Sequence, residues 1–180
     1  MKKGRTGKAY RVALLGMLFA LAIVLSLVEG MLTPLLGLPP GVKPGLANIV
    51  VMYALFFLGA SQAATLVGLK AFFVLLTRGI VAGALSVCGG MAALFVMLLA
   101  RRVAGGNSYF ILSVSGAIAH NVGQLCLVNL LLTRSVYTFY YLPVLLISGL
   151  VMGSLTWLSL KALLPALGKI NCDIIEKKSQ

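Results

Sequence analysis

The chain has 180 residues, 61% of them hydrophobic and only 10% charged, with a formal net charge of +12. A soluble domain normally carries about 25% charged residues, and apolar runs of about 20 residues, long enough to cross a hydrocarbon core, recur along almost the whole length. The composition excludes a soluble domain and predicts an all-α integral membrane protein. The positive charge does not point to nucleic acid, because it is gathered at the ends of apolar runs.

Six spanning segments are predicted, at 11–29, 45–59, 61–77, 81–100, 108–132 and 141–164. Residues 1–10 form a basic N-terminus and 165–180 a short polar tail. Lys2, Lys3, Arg5, Lys8 and Arg11 precede the first run, Arg101 and Arg102 lie between two later runs, and Lys161, Lys169, Lys177 and Lys178 close the chain. These eleven basic residues would share one side, against Lys43, Arg78 and Arg134 on the other. By the positive-inside rule both termini are expected in the cytoplasm, and the basic clusters would also attract anionic membrane lipid.

The first run follows a basic segment as a signal peptide would, but SLVEGML offers no clear small-x-small cleavage site, so a retained helix is expected. Ala9, Ala13, Gly16 and Ala20 fall on one stripe of that helix. Small-xxx-small stripes let helices touch backbone to backbone, here either within the bundle or against a partner subunit. Glu29 ends the helix and is the only acid before Asp173. It could pair with Lys43, Lys70 or Arg78, or meet a ligand.

The connection GMLTPLLGLPPGVKPG is rich in proline and glycine. Such irregular backbone is tolerated at membrane depth only where protein or a water-filled cavity surrounds it. The segment that follows is short, about 24 Å of helix at ~1.5 Å per residue over 44–59, so it is expected to start below the outer surface, to be strongly thinned against its neighbours, or to follow a loop that dips inward. Lys43 beside the exposed N–H groups of that helix start makes an anion-receiving corner.

Lys70 falls near the middle of the third segment. A charged lysine there costs about 2.5–3.5 kcal/mol on insertion scales, so it must find a partner or a cavity; snorkelling is awkward this far from either end. In the fifth segment Ser113, Ala117, His120 and Gln124 share one face, flanked by Gly116 and Gly123, while Asn121 lies about 100° round the helix from His120. These polar groups are either glue between helices or the wall of a cavity. The expectation is that Asn121 holds a neighbouring helix while His120 and Gln124 face a cavity. Gly89, Gly90, Gly149 and Gly153 suggest further close packing, and Tyr137, Tyr140 and Tyr141 read as an interfacial aromatic belt. Cys88, Cys126 and Cys172 are scattered and indicate neither a disulfide framework nor a metal cluster.

PPGVKPGLANIV, GAIAHNVGQL and YYLPVLLISGLVMG together resemble the Gx transporter family, also described as heptaprenyl diphosphate synthase component I. The resemblance covers about residues 10–164. That family is in turn similar to the S components of energy-coupling factor (ECF) transporters, which implies a six-transmembrane-helix bundle with an outward-facing pocket, docked on a T component and two ATPase subunits. By resemblance, the glycine-rich loop maps to Gly41–Asn48 and the polar motif to His120, Asn121, Gly123 and Gln124. The Ala9–Ala20 stripe is similar to the face that meets the T partner, and Lys70 stands where the family often has arginine.

The function expected is therefore substrate capture for an ECF-like importer. The ligand would be a small, anionic vitamin- or isoprenoid/quinone-related molecule. Lys43, Lys70 and Arg78 would attract its charge, and Asn48, His120, Asn121 and Gln124 would orient it. No P-loop occurs, so energy must come from a partner, and no cofactor is expected. Catalysis of prenyl transfer is not expected, because Mg²⁺ and diphosphate need clustered oxygen ligands and the single aspartate, Asp173, lies in the tail. Two other readings remain. One is a membrane subunit of a quinone- or flavin-linked electron-transfer system, whose cofactor would have to be organic, since one histidine cannot hold a bis-histidine haem. The other is a non-catalytic partner of a soluble prenyl diphosphate synthase.

Overall fold

The computed structural model describes residues 3–35, 45–103 and 109–176. Among these residues the chain forms six α-helices: α1 (Lys3–Leu35), α2 (Leu46–Phe57), α3 (Ala60–Arg78), α4 (Ile80–Val103), α5 (Tyr109–Val128) and α6 (Leu142–Glu176). A π turn (Asn129–Thr133) and a 3-10 helix (Val136–Tyr141) join α5 to α6. The chain is an all-α membrane bundle. Large apolar side chains such as Met17, Phe72, Leu76, Phe95 and Ile147 point outward and are exposed, an arrangement that suits lipid and not water.

Five helices carry apolar stretches long enough to cross a membrane, among them Arg11–Met31 in α1 and Val136–Ala162, which takes in the start of α6. Both α1 and α6 continue beyond the predicted spans, α6 as far as Glu176. Hydrophobicity bounds a span, but a helix ends only where its backbone bonding ends.

The second helix is short, as its segment predicts, and shorter than the predicted 45–59. It has 12 residues, about 18 Å at ~1.5 Å per residue against a hydrocarbon core of ~30 Å. Ala47 and every residue from Ile49 to Leu55 are buried, because α1, α3 and α6 all pack against it. A helix sheathed in protein need not match the bilayer. Its length is set by its neighbours.

Contacts fix the relative ends of the bundle. At one end, Arg101 near the end of α4 donates to the Leu55 carbonyl at 3.1 Å and lies over the Phe56 ring, which itself packs on Tyr109 at the start of α5. At the opposite end, Arg78 of α3 donates to the Ser26 carbonyl of α1 at 3.4 Å, and the Gly45 N–H, just before α2, meets Glu29. The start of α1 and the end of α6 lie at the Arg101 end. The opposite, distal end holds the site described below.

Between apolar helices in lipid, association comes from close packing and not from hiding surface from water. Glycine supplies that closeness along α6. A Cβ on Gly153 would lie 2.6 Å from Val114 Cα, and one on Gly149 would lie 3.1 Å from Ile118 Cα, both backbone atoms of α5. Gly153→Ala should therefore lower the melting temperature of the detergent-solubilised protein, by about 1–3 kcal/mol of overpacking. Gly68→Ala, where no atom lies within 4 Å, should leave it unchanged or raise it. Equal behaviour of the two variants in a melting experiment would contradict this packing.

Candidate functional site

Polar side chains inside the bundle divide by the job their geometry allows. One group bonds helices together. The Asn121 amide donates to the Leu145 carbonyl at 3.1 Å and to Ser148 Oγ at 3.3 Å, tying α5 to α6. Ser113 Oγ donates to the Gly153 carbonyl at 2.7 Å on the same seam. Cys88 Sγ donates to the Gly123 carbonyl between α4 and α5.

The second group lines a chamber in the distal half, to which every helix contributes: Ser26 and Glu29 from α1, Asn48 from α2, Lys70 from α3, Ser86 from α4, His120 and Gln124 from α5, and Met152 and Thr156 from α6. Asn121 touches the chamber from its place against α6. The chamber has about 30 Å³ of free volume, room for a water or two. A second lobe of about 20 Å³ shares Asn48, Lys70, Ser86, Ala117 and Thr156 and runs on between Met52, Val67 and Met97.

Local structure explains each position. The short α2 begins deep in the bundle, so Asn48, in its first turn, reaches the chamber, and the Lys70 ammonium donates to Asn48 Oδ1 at 3.3 Å. Glu29 Oε1 accepts the Gly45 N–H at 2.8 Å, so a carboxylate of the chain itself occupies the positive end of α2. The face of α5 carrying His120 and Gln124 meets α4 at Gly89, where a Cβ would lie 2.9 Å from the imidazole and 2.8 Å from Gln124 Cγ. Any larger residue at position 89 would push both side chains out of place.

Of the sequence-predicted site residues, the structure brings Asn48, Lys70, His120, Asn121 and Gln124 together. Arg78 is not among the chamber's lining residues. Its guanidinium lies against Gly30 and the Ser26 carbonyl, where it fastens α3 to α1. Lys43 lies outside the described residues. Gly16, Ala13 and Ala20 are exposed on α1, and a Cβ on Gly16 would meet nothing within 4 Å, so this stripe faces away from the bundle. Position 9 is on the same helix, but its side chain lies outside the described residues. Sequence reasoning missed Ser26, Ser86 and Thr156. Hydroxyls in membrane helices commonly bond back to their own preceding turn, as Thr65, Thr77, Ser154 and Ser159 do here, so a serine or threonine in an apolar run carries little signal.

The chamber offers donors and acceptors, one lysine and one carboxylate. Among the described residues no three His, Cys, Asp or Glu side chains gather as a metal site would require. The arrangement can hold and orient a polar group inside an apolar shell.

These features define a multi-pass membrane protein with a small polar chamber inside its bundle. Residues 18–163 match the model of the family described as heptaprenyl diphosphate synthase component I, and the chain belongs to that family. No curated protein and no solved structure matches it.

Asn121→Ala removes bonds that fasten α5 to α6. Membrane hydrogen bonds average about 0.6 kcal/mol each, so the variant should lose about 1 kcal/mol of stability, read as a lower midpoint in denaturant titration. An unchanged midpoint would mean that Asn121 does not hold the seam.

Proposed function

We propose that the chain is the substrate-capturing membrane subunit of an energy-coupled importer, similar in role to an ECF S component. The supporting observation is the chamber: all six helices direct side chains into one polar space within an otherwise apolar bundle. An intramembrane lysine costs about 2.5–3.5 kcal/mol to insert, a cost that a ligand group in the chamber would offset further beside the lysine's bond to Asn48. A ligand contact gives the lysine a use. On this reading Asn48, Lys70, His120 and Gln124 hold the polar or anionic group of a small vitamin- or isoprenoid/quinone-related molecule. Lys70 supplies the positive charge, Asn121 supports the wall, and Lys43 in the preceding loop adds charge on the approach. Arg78 acts on the α1–α3 joint instead.

The exposed stripe of Ala13, Gly16 and Ala20 would receive a T component, with ATPase subunits beyond it on the cytoplasmic side. Both termini then face the cytoplasm, and the chamber faces outward. The chain performs no catalysis in this scheme.

Mass spectrometry of proteins co-purified with the tagged full chain from native membranes tests the reading. P-loop ATPases should be recovered from wild type and lost from Gly16→Leu, while the melting temperature of the variant stays that of wild type. Recovery of a prenyl diphosphate synthase without any ATPase would instead establish the synthase-partner reading. Orientation is checked separately, by labelling a cysteine placed at Gln180 in intact cells with a membrane-impermeant maleimide. No labelling is expected until the membrane is broken.

A further inference from the structure

The glycine-lined seam between α5 and α6 closes at Gly153 and Gly149. One turn nearer the distal end the seam residue is Leu145, whose carbonyl accepts the Asn121 amide, and beside it a gap opens against α4 and the 3-10 helix. The gap is a groove of about 610 Å³, lined by Leu85 of α4, by Leu125 and Val128 of α5, by Leu145 of α6, and by Tyr137 and Tyr141 of the 3-10 helix. The outer wall is fastened. The Arg134 N–H donates to the Asn129 carbonyl at 2.7 Å, the Ser135 N–H donates to Asn129 Oδ1 at 3.1 Å, and Ser135 Oγ caps the 3-10 helix by accepting the Tyr137 N–H. The π turn that ends α5 turns the chain into this wall, so the groove is built into the fold.

Asn121 and Gln124 line both the groove and the chamber. An apolar space of ligand size therefore adjoins a polar space with room for a water or two, and the two share a wall of amides. We propose that they form one amphipathic site, whose ligand has a small oxygen-bearing head (a carboxylate, ketone or hydroxyl) and a long apolar tail. The head enters the chamber past Gln124 to Lys70 and Asn48, and the tail lies in the groove. This rests on the capture reading and adds the substrate class. Volume favours it: the chamber as it stands has room for a water or two, whereas the groove is of ligand size. The aliphatic and tyrosine lining suits a hydrocarbon tail that would be poorly soluble in water.

The test uses the purified full chain with dodecanoic acid, dodecanol, dodecane and acetate as probes in a competitive binding assay. Dodecanoic acid should bind at least about tenfold more tightly than acetate, which lacks the tail, and than dodecane, which lacks the head. Lys70→Met should weaken dodecanoic acid by about tenfold and dodecanol less. Val128→Trp and Leu85→Trp, which fill the groove from opposite walls, should weaken both, and their melting temperatures show whether each variant has folded. Equal binding of acetate and dodecanoic acid would confine the site to the chamber and overturn the proposal. Equal binding of dodecane would reduce the groove to a nonspecific apolar surface, with the same consequence. A phospholipid that survives delipidation in native mass spectra and leaves only in Val128→Trp would make the groove a bilayer-lipid site, again overturning it. The probe comparison on wild type decides the matter even if a variant misfolds. If ATPases co-purify but the tail adds no affinity, the amphipathic inference alone fails. If dodecanoic acid binds as expected and no ATPase is found, the importer reading alone fails.

Discussion

Hydrocarbon offers no hydrogen bonds, so each polar group placed in this bundle must find its partner inside the protein. That constraint organises the rest of the structure. It sends the Asn121 amide to the Leu145 carbonyl, Ser113 to Gly153, and Lys70 to Asn48. It also explains why irregular backbone is confined to particular places. The start of α2 is sheltered behind Glu29, and the π turn and 3-10 helix lie at the distal end, where Asn129 and Ser135 supply the bonds that a regular helix would have made.

The short second helix follows from the same constraint. A helix in contact with lipid must span the hydrocarbon, but one enclosed by α1, α3 and α6 is relieved of that demand. Its first turn carries Asn48 into the wall of the polar chamber. The close packing of α4 on α5 at Gly89, and of α5 on α6 at Gly149 and Gly153, draws the remaining walls inward. The apolar groove begins beside Leu145, where Asn121 still bonds α5 to α6.

The charges in the site are balanced more closely than a count of basic residues suggests. Glu29 lies in the same chamber as Lys70 and takes the helix end that a bound anion would otherwise use. Arg78 sits on the α1–α3 joint, and its role there is one of fastening. Among the described residues the chamber presents one lysine, one carboxylate and several neutral amides, so on the capture reading it would select by hydrogen-bond geometry as much as by charge.

The sequence by itself determined the class of fold. The scarcity of charge and the recurring apolar runs define a helical membrane bundle, since only helices and closed barrels satisfy the backbone in lipid and runs of about 20 residues have the length of a helix. It also located Lys70, His120, Asn121 and Gln124, because an ionisable or amide group stands out against an apolar run, and the helical period separates Asn121 from the face of His120 and Gln124. The shortness of α2 was legible in its spacing from the preceding prolines. Only the tertiary structure decided which polar groups fasten helices and which line a space, because that depends on the carbonyls a neighbouring helix presents. It alone put Arg78 on a joint, Glu29 on the end of α2, and Ser26, Ser86 and Thr156 in the chamber. A hydroxyl in an apolar run, or an arginine at a helix end, has the same local sequence in either role. The groove was hidden for the same reason: its walls are ordinary leucine, valine and tyrosine, and a cavity is a property of how helices part, which no single helix encodes.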